Sequence, residues 1–364
     1  MKENAQELTI AILGSGNVGQ AMAGHLASQG YHVHLYSRWE AELRPIRQMG
    51  GIYLQGELSG QGRPDVLTTD IQEAVDGTTL VMITAPAFAH RFFSTELAER
   101  VTNDQTVVFQ PGVLGSSLEF LTLLAAKGRP KILTAETETS AYTCRLVEPG
   151  RVFVSAMKPS VDVAAVPASD TGRVVELLKR YFGGRYTAGS DVLTTGLNNT
   201  NPVYHCPPSL LNFSGIDQGV AQPFHALVTA SIARVIDAVD RERLALGGAL
   251  GVKLESWWNF LARTYDATDG DLVERVRKAS LRRPFPAPQS PKHRYLTEDI
   301  PFGLVPWSSI AHEIAVPTPV IDALIEVANA LYGHDLRHDG RTVESLGLRG
   351  LSADQIRDKV ISSG

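Results

Sequence analysis

Leu8-Thr9-Ile10-Ala11-Ile12-Leu13-Gly14-Ser15-Gly16-Asn17-Val18-Gly19 is an apolar run followed by glycines at G-x-G-x-x-G spacing, and it opens a helical pattern. Continuous apolar residues suit a strand buried on both faces of a sheet. Met22 and Leu26 stand at helical spacing within 18–29, and Gly30 can end that helix. In this context each glycine has its own task. Gly14 permits the tight turn, Gly16 lets backbone approach a pyrophosphate, and Gly19 lets the helix pack closely on the strand. Ser15, Asn17 and Val18 complete the loop. The amides at the helix start face the phosphates, where the helix dipole favours negative charge. The segment therefore predicts a bound dinucleotide.

The next strand, His32-Val33-His34-Leu35-Tyr36, ends in Ser37-Arg38. NAD-selective folds usually place Asp or Glu there, on the ribose hydroxyls. A carboxylate would repel a 2′-phosphate, whereas Ser37 can donate to one and Arg38 can pair with it. NADP(H) is the expected cofactor, and Glu40 nearby keeps NAD(H) open. Further apolar runs lie at 79–83, 106–109 and 131–134, with helical patterns at 88–100 and 116–127 between them. This alternation predicts an α/β Rossmann domain built on a doubly wound parallel sheet. Ligands in such sheets sit outside the carboxyl ends of the strands. Ala85 and Pro86, in the turn after one strand, and Gln110-Pro111-Gly112-Val113, after the next, are candidates to line the nicotinamide ribose side, with plain loop chemistry as the alternative for either turn. Runs at 51–58 and 66–69 flank a Gly-rich turn and read as a small hairpin.

From about Leu193 strand-like runs become scarce, and helical patterns take over at 224–246, 256–263, 271–279 and 319–331. Gly183-Gly184 and Gly189-Ser190-Asp191 punctuate the change. The expected division is a dinucleotide domain over 1–186 and a mostly α-helical substrate domain over 187–364. Two domains suit 364 residues. A formal charge of -5 argues against nucleic acid as the main partner. No apolar stretch of about 18 residues exists, so no membrane span is expected. Cys144 and Cys206 form no CxxC pair, and residues 1–7 carry no signal-peptide pattern, so a reducing cytoplasm is expected. His312-Glu313 and the 334–338 stretch lack metal-ligand spacing, and no metal is expected. The Pro-rich 283–291 segment reads as a rigid loop or flap. A homodimer is the base-rate assembly.

Two polar stretches stand beside prolines in the helical half. One runs Asn201-Pro202-Val203-Tyr204-His205-Cys206-Pro207-Pro208-Ser209-Leu210-Leu211-Asn212. The other is Lys292-His293-Arg294-Tyr295-Leu296-Thr297-Glu298-Asp299-Ile300-Pro301-Phe302-Gly303-Leu304-Val305-Pro306. They supply a candidate acid/base, His205, a carboxylate partner, Asp299, and a cation, Arg294. A histidine suits proton transfer because imidazole titrates near neutral pH. A lone histidine is more often structural, so the nearby carboxylate and arginine carry the catalytic reading.

In the glycine loop, the Asn-Pro-x-x-His segment ending Leu-Leu-Asn, and the Arg-Tyr-Leu-Thr-Glu-Asp-Ile-Pro-Phe-Gly-Leu-Val-Pro segment, the sequence resembles the opine dehydrogenase family, the octopine/nopaline dehydrogenases. Gln110-Pro111-Gly112 and Glu138-Thr139-Ser140-Ala141-Tyr142-Thr143-Cys144-Arg145 share in the likeness. Cys206 is a departure, since the family commonly has proline directly after the histidine. The resemblance implies a Rossmann domain, then a helical domain, with a substrate cleft between them. It implies reductive condensation of an amino acid's amino group with an α-keto acid, pyruvate being the first choice. His205 would be the catalytic histidine and Asp299 its partner. Arg294 would bind a substrate carboxylate with two parallel hydrogen bonds, and Asn201 and Tyr142 would stand with the substrate. Two rivals follow from the same architecture. A ketopantoate reductase or glycerol-3-phosphate dehydrogenase type would need Lys179 or Lys253 as its acid/base, and neither lies in a comparable polar cluster. A non-catalytic NADP(H) sensor would have no need of an acid/base pair.

Overall fold

The structure, a computed structural model, describes residues 8–282 and 285–362. Residues 1–7, and Arg283 and Pro284 of the Pro-rich segment, lie outside that description. The chain forms two compact units, Met1–Thr195 with Val360–Gly364, and Gly196–Lys359.

The first unit carries twelve strands among its described residues. They are β1 (Thr9–Leu13), β2 (His32–Tyr36), β3 (Ile52–Gly56), β4 (Gly60–Gly62), β5 (Val66–Thr68), β6 (Leu80–Ile83), β7 (Thr106–Phe109), β8 (Leu133–Thr137), β9 (Tyr142–Glu148), β10 (Arg151–Met157), β11 (Val161–Val166) and β12 (Tyr186–Ala188). Its helices are α1 (Asn17–Ser28), α2 (Glu40–Met49), α3 (Ile71–Val75), α4 (His90–Arg100), α5 (Ser116–Ala126) and α6 (Thr171–Phe182). Eight strands form one sheet in the order β12-β11-β8-β7-β6-β1-β2-β5. It is parallel from β5 through β8, and β11 joins β8 antiparallel. The α/β Rossmann expectation holds, and β1 shows why. Ile10 and Ile12 enter the core on one face of the sheet, while Ala11 and Leu13 enter the core on the other. A strand covered by helices on both sides must be apolar throughout.

The hairpin expected from 51–58 and 66–69 does not form. β3 turns instead into β4, and the two join β10 and β9 in a separate sheet of order β4-β3-β10-β9. Val66–Thr68 goes to the edge of the main sheet, parallel to β2. The Gly-rich turn was a correct local signal, but it joins β3 to β4, and the other neighbour of β3 is β10, far along the chain.

The second unit is helical. α7 (Val192–Leu197) bridges the boundary. α8 (Asn201–Leu211), α9 (Phe213–Asp217), α10 (Ala230–Ala249), α11 (Trp257–Tyr265), α12 (Leu272–Arg282), α13 (Arg294–Thr297), α14 (Val305–Glu313), α15 (Pro319–Tyr332), α16 (Leu336–Asp339) and α17 (Ala353–Ile361) follow. The pattern at 224–246 divides into a short 3₁₀ turn, Phe224–Leu227, and α10, because Thr229 caps the new helix by accepting from the Ile232 amide. α10 packs against α8, α12, α14 and α15 and forms the spine of the unit. Among the described residues no helix is long and apolar enough to cross a membrane.

Candidate active site

In the first unit the glycine loop joins β1 to α1. Gly14 has φ 112°, a left-handed value that favours glycine. A Cβ on Gly19 would overlap the Gly14 carbonyl oxygen, so the helix approaches the strand as closely as glycine allows. Thr84 donates to that same oxygen at 3.0 Å, and Ala85 lies against Gly14. The structure thus brings Gly14, Gly19 and Ala85 together at the carboxyl edge of the sheet, with Pro86 next in line. A Cβ on Gly16 would meet nothing within 4 Å, and α1 has neither a side-chain cap nor an acidic residue in its first turn. Open space above uncapped helix amides is what a pyrophosphate requires, so these residues fit a dinucleotide. The side chain of Asn17 accepts from the Leu146 amide at 2.7 Å and thereby ties α1 to β9. Val18 packs on the core.

At the end of β2, Ser37 is buried and Arg38 is exposed, its guanidinium lying 5.2 and 5.3 Å from the rings of Trp39 and Phe92. Glu40, the residue that kept NAD(H) open, pairs with Arg47. Tyr142 is buried in the core, and its hydroxyl meets His25 Nδ1 at 2.9 Å. Desolvation by burial, helped by the charge of Arg185, lowers the pKa of His25 below the ordinary 6.5.

In the second unit His205 lies on α8, and Asp299 precedes a π-helical turn, Ile300–Leu304, that leads into α14. His205 Nδ1 and Asp299 Oδ2 are 2.7 Å apart, with side chains 12% and 5% exposed. A carboxylate accepts, so Nδ1 carries the proton. Nε2 makes no hydrogen bond among the described residues. The stretch expected around His205 is helical although Pro207 and Pro208 stand inside it. Pro202 at the helix start costs nothing, since its missing N–H would have had no partner there.

Aromatic rings hold the imidazole. Tyr295 stacks on it with centroids 3.7 Å apart and planes 15° from parallel, and Phe224 meets it edge-on. Tyr204, the preceding residue, stacks on Trp257. Trp257 in turn is fixed by its amide, which donates to Asp240 Oδ2 at 2.8 Å. Asp240 is paired with Arg243, whose side chain is fully buried. Arg243 also donates to the carbonyls of Leu197 and Glu255. Sequence reading missed this pair. The only available signal was an Asp and an Arg three apart on the buried side of an otherwise amphipathic helix.

Arg294 opens α13 and pairs with the buried Glu298 at 2.8 Å, which turns part of its guanidinium toward its own helix. Asn201 opens α8 four residues before His205, on the same helix face. Burial raises the Cys206 thiol pKa well above 9.0 and pushes Cys144 up to about 11, so neither is an activated nucleophile.

A family model described as NAD/NADP octopine/nopaline dehydrogenase, alpha-helical domain, matches residues 188–332. Another, NADP oxidoreductase coenzyme F420-dependent, matches residues 9–108. Opine dehydrogenase of Arthrobacter sp. (strain 1C) is 34% identical over 354 residues, covering 97% of this chain and 98% of that protein. The chain belongs to the opine dehydrogenase family. As an opine dehydrogenase it is a nicotinamide-dependent oxidoreductase acting on CH–NH donors. Its fold is that of octopine dehydrogenase in complex with NADH and agmatine, with TM-score 0.80, 21% identity, and 98% and 100% of the two chains covered. Yersinopine dehydrogenase bound to NADP+ shares the fold at TM-score 0.71 and 15% identity, with 98% of each chain covered.

Proposed function

We propose that this opine dehydrogenase condenses the amino group of an amino acid with an α-keto acid and reduces the resulting imine, with His205 as the acid/base. The supporting observation is the enclosed 2.7 Å bond between His205 Nδ1 and Asp299 Oδ2. Asp299 holds the Nδ1 proton and orients the ring, which leaves Nε2 to act on substrate. In the condensing direction Nε2–H gives its proton to the departing hydroxyl of the carbinolamine. Water leaves, and the imine carbon becomes electrophilic. The bound nicotinamide supplies the hydride. In the reverse direction Nε2 takes a proton from the water that adds to the imine carbon. The Tyr295 stack keeps the ring plane fixed through both proton transfers.

Arg294 has an exposed side chain and donors beyond its bond to Glu298, so it can hold a substrate carboxylate. Asn201 lies on the His205 face of α8 and is proposed to contact the same substrate. Tyr142, also expected from the sequence to stand with the substrate, is buried in the first unit's core with its hydroxyl on His25. Pyruvate is the proposed keto acid. Gly14 through Gly19, with Ser37, Arg38, Ala85 and Pro86, form the proposed cofactor site.

The test follows loss of reduced-nicotinamide absorbance with pyruvate and pools of amino acids, and then weighs the products by mass spectrometry. The reading requires turnover only when amine and keto acid are both present, with a product equal to their sum less one oxygen. Turnover with a keto acid alone would overturn it.

A further inference from the structure

We infer that Glu42 reads the adenosine ribose and sets this enzyme to NAD(H) rather than NADP(H). β2 ends without the acidic residue that usually meets the ribose hydroxyls. The first turn of α2 supplies a carboxylate at the same place. Ser37, at the end of β2, donates its hydroxyl to Glu42 Oε2 at 2.5 Å. Ser15, inside the glycine loop, donates to the same oxygen. Both serines are buried, at 2% and 3% exposure, so the carboxylate is held by two fixed donors between the phosphate loop and the strand end.

Two consequences follow. A serine hydroxyl has one proton to donate. Ser37 has given its proton to Glu42, and its oxygen already accepts from the Trp39 amide at 3.1 Å. It therefore has no donor for a 2′-phosphate, contrary to the expectation from Ser37-Arg38. Second, Glu42 Oε1 accepts no hydrogen bond among the described residues, and the residue is only partly buried. An acceptor at this position matches a ribose hydroxyl and repels a phosphate. Arg38 pulls the other way, as an exposed cation that can attract phosphate. Glu42 outweighs it because its carboxylate is fixed in place, while the Arg38 head is open to solvent and screened.

The inference rests on the dinucleotide reading of the first unit and is independent of the amine chemistry. Its test therefore uses no substrate. The full chain is titrated calorimetrically with ADP-ribose and with 2′-phospho-ADP-ribose, as wild type and as Glu42→Gln. Gln keeps the shape and removes the charge. The wild type should bind ADP-ribose at least about tenfold more tightly, the scale of one hydrogen bond to a charged group. Glu42→Gln should narrow that ratio by about tenfold. NADH and NADPH titrations should show the same ordering. Equal or tighter wild-type binding of the 2′-phosphate would overturn the inference, and so would an unchanged ratio in a folded variant. The wild-type comparison stands by itself should the variant fail to fold. Binding of neither fragment would overturn the dinucleotide reading along with it.

Discussion

In the first unit the groups offered to a ligand belong mainly to the main chain: uncapped amides at the start of α1 and bare space above Gly16. In the second they belong to side chains, with one imidazole gripped by a carboxylate on one atom and by a tyrosine ring on its face. A site made of backbone is fixed by what is missing, because glycine lets two segments approach. A site made of side chains is fixed by what has been brought from elsewhere. Damage should therefore differ in kind. Changes in the loop should weaken cofactor binding, and changes around His205 should slow chemistry while binding survives.

The largest effect expected is at His205. His205→Ala removes the acid/base and should lower kcat by about 10²–10⁴-fold. NADH binding, followed by nucleotide fluorescence, should stay at the wild-type value. A variant that kept its rate would break the contrast at its centre. Gly19→Ala is the counterpart in the loop. Its Cβ meets the Gly14 carbonyl, which is backbone and has little freedom to retreat. Overpacking of this kind costs about 1–3 kcal/mol. The dissociation constant of NADH should rise roughly tenfold or more, with a smaller change in kcat at saturating cofactor. Equal loss in kcat and binding would show that the two regions are less separable than argued.

Tyr295→Leu probes the grip on the imidazole face. Stacked aromatic pairs contribute about 0.5–1.5 kcal/mol beyond area burial. With Asp299 still holding Nδ1, kcat should fall about 3–10-fold, far less than for His205→Ala. Steady-state kinetics at saturating substrates would measure it. A loss as large as that of His205→Ala would make the ring a full partner in the mechanism.

The same difference explains what could be read from the sequence. Glycine spacing after an apolar strand is a local signal, and the loop, β1, β2, β6 and β7 lie where 8–19, 32–36, 79–83 and 106–109 placed them. His205 and Asp299 were legible as residues, through proline-flanked polar stretches, but their bond spans 94 positions and could be seen only in three dimensions. The Tyr295 stack and the Arg243–Asp240 pair were hidden for the same reason. Glu42 was hidden because the rule for ribose recognition looks to the strand end, whereas this carboxylate arrives from the following helix. The second sheet was missed although β10 alternates Val152 and Val154 with Arg151, Phe153 and Ser155. That period-two pattern stood beside an α/β grammar that called for no extra strands.

The smallest effect, and the finest probe of the side-chain region, concerns His293. Its Nδ1 accepts from the Tyr295 amide at 3.3 Å and caps α13, the helix that carries the ring stacked on His205. Only an unprotonated Nδ1 can accept. Burial, then the charges of His205 and Arg294, lower the His293 pKa below 6.5, and Asp299 opposes them. A histidine with a depressed folded pKa takes up its proton more readily in the unfolded chain. Its contribution to stability is therefore complete above the unfolded value. It declines as pH falls below about 6.5 toward the folded value. His293→Asn keeps a cap acceptor that does not titrate. Between about pH 7.5 and about pH 5.5, the fall in apparent Tm should be smaller in the variant than in the wild type. Melting curves that move in parallel would show that the α13 cap does not respond to protons, and the His205 side of the contrast would rest on the Asp299 bond and the Tyr295 ring alone.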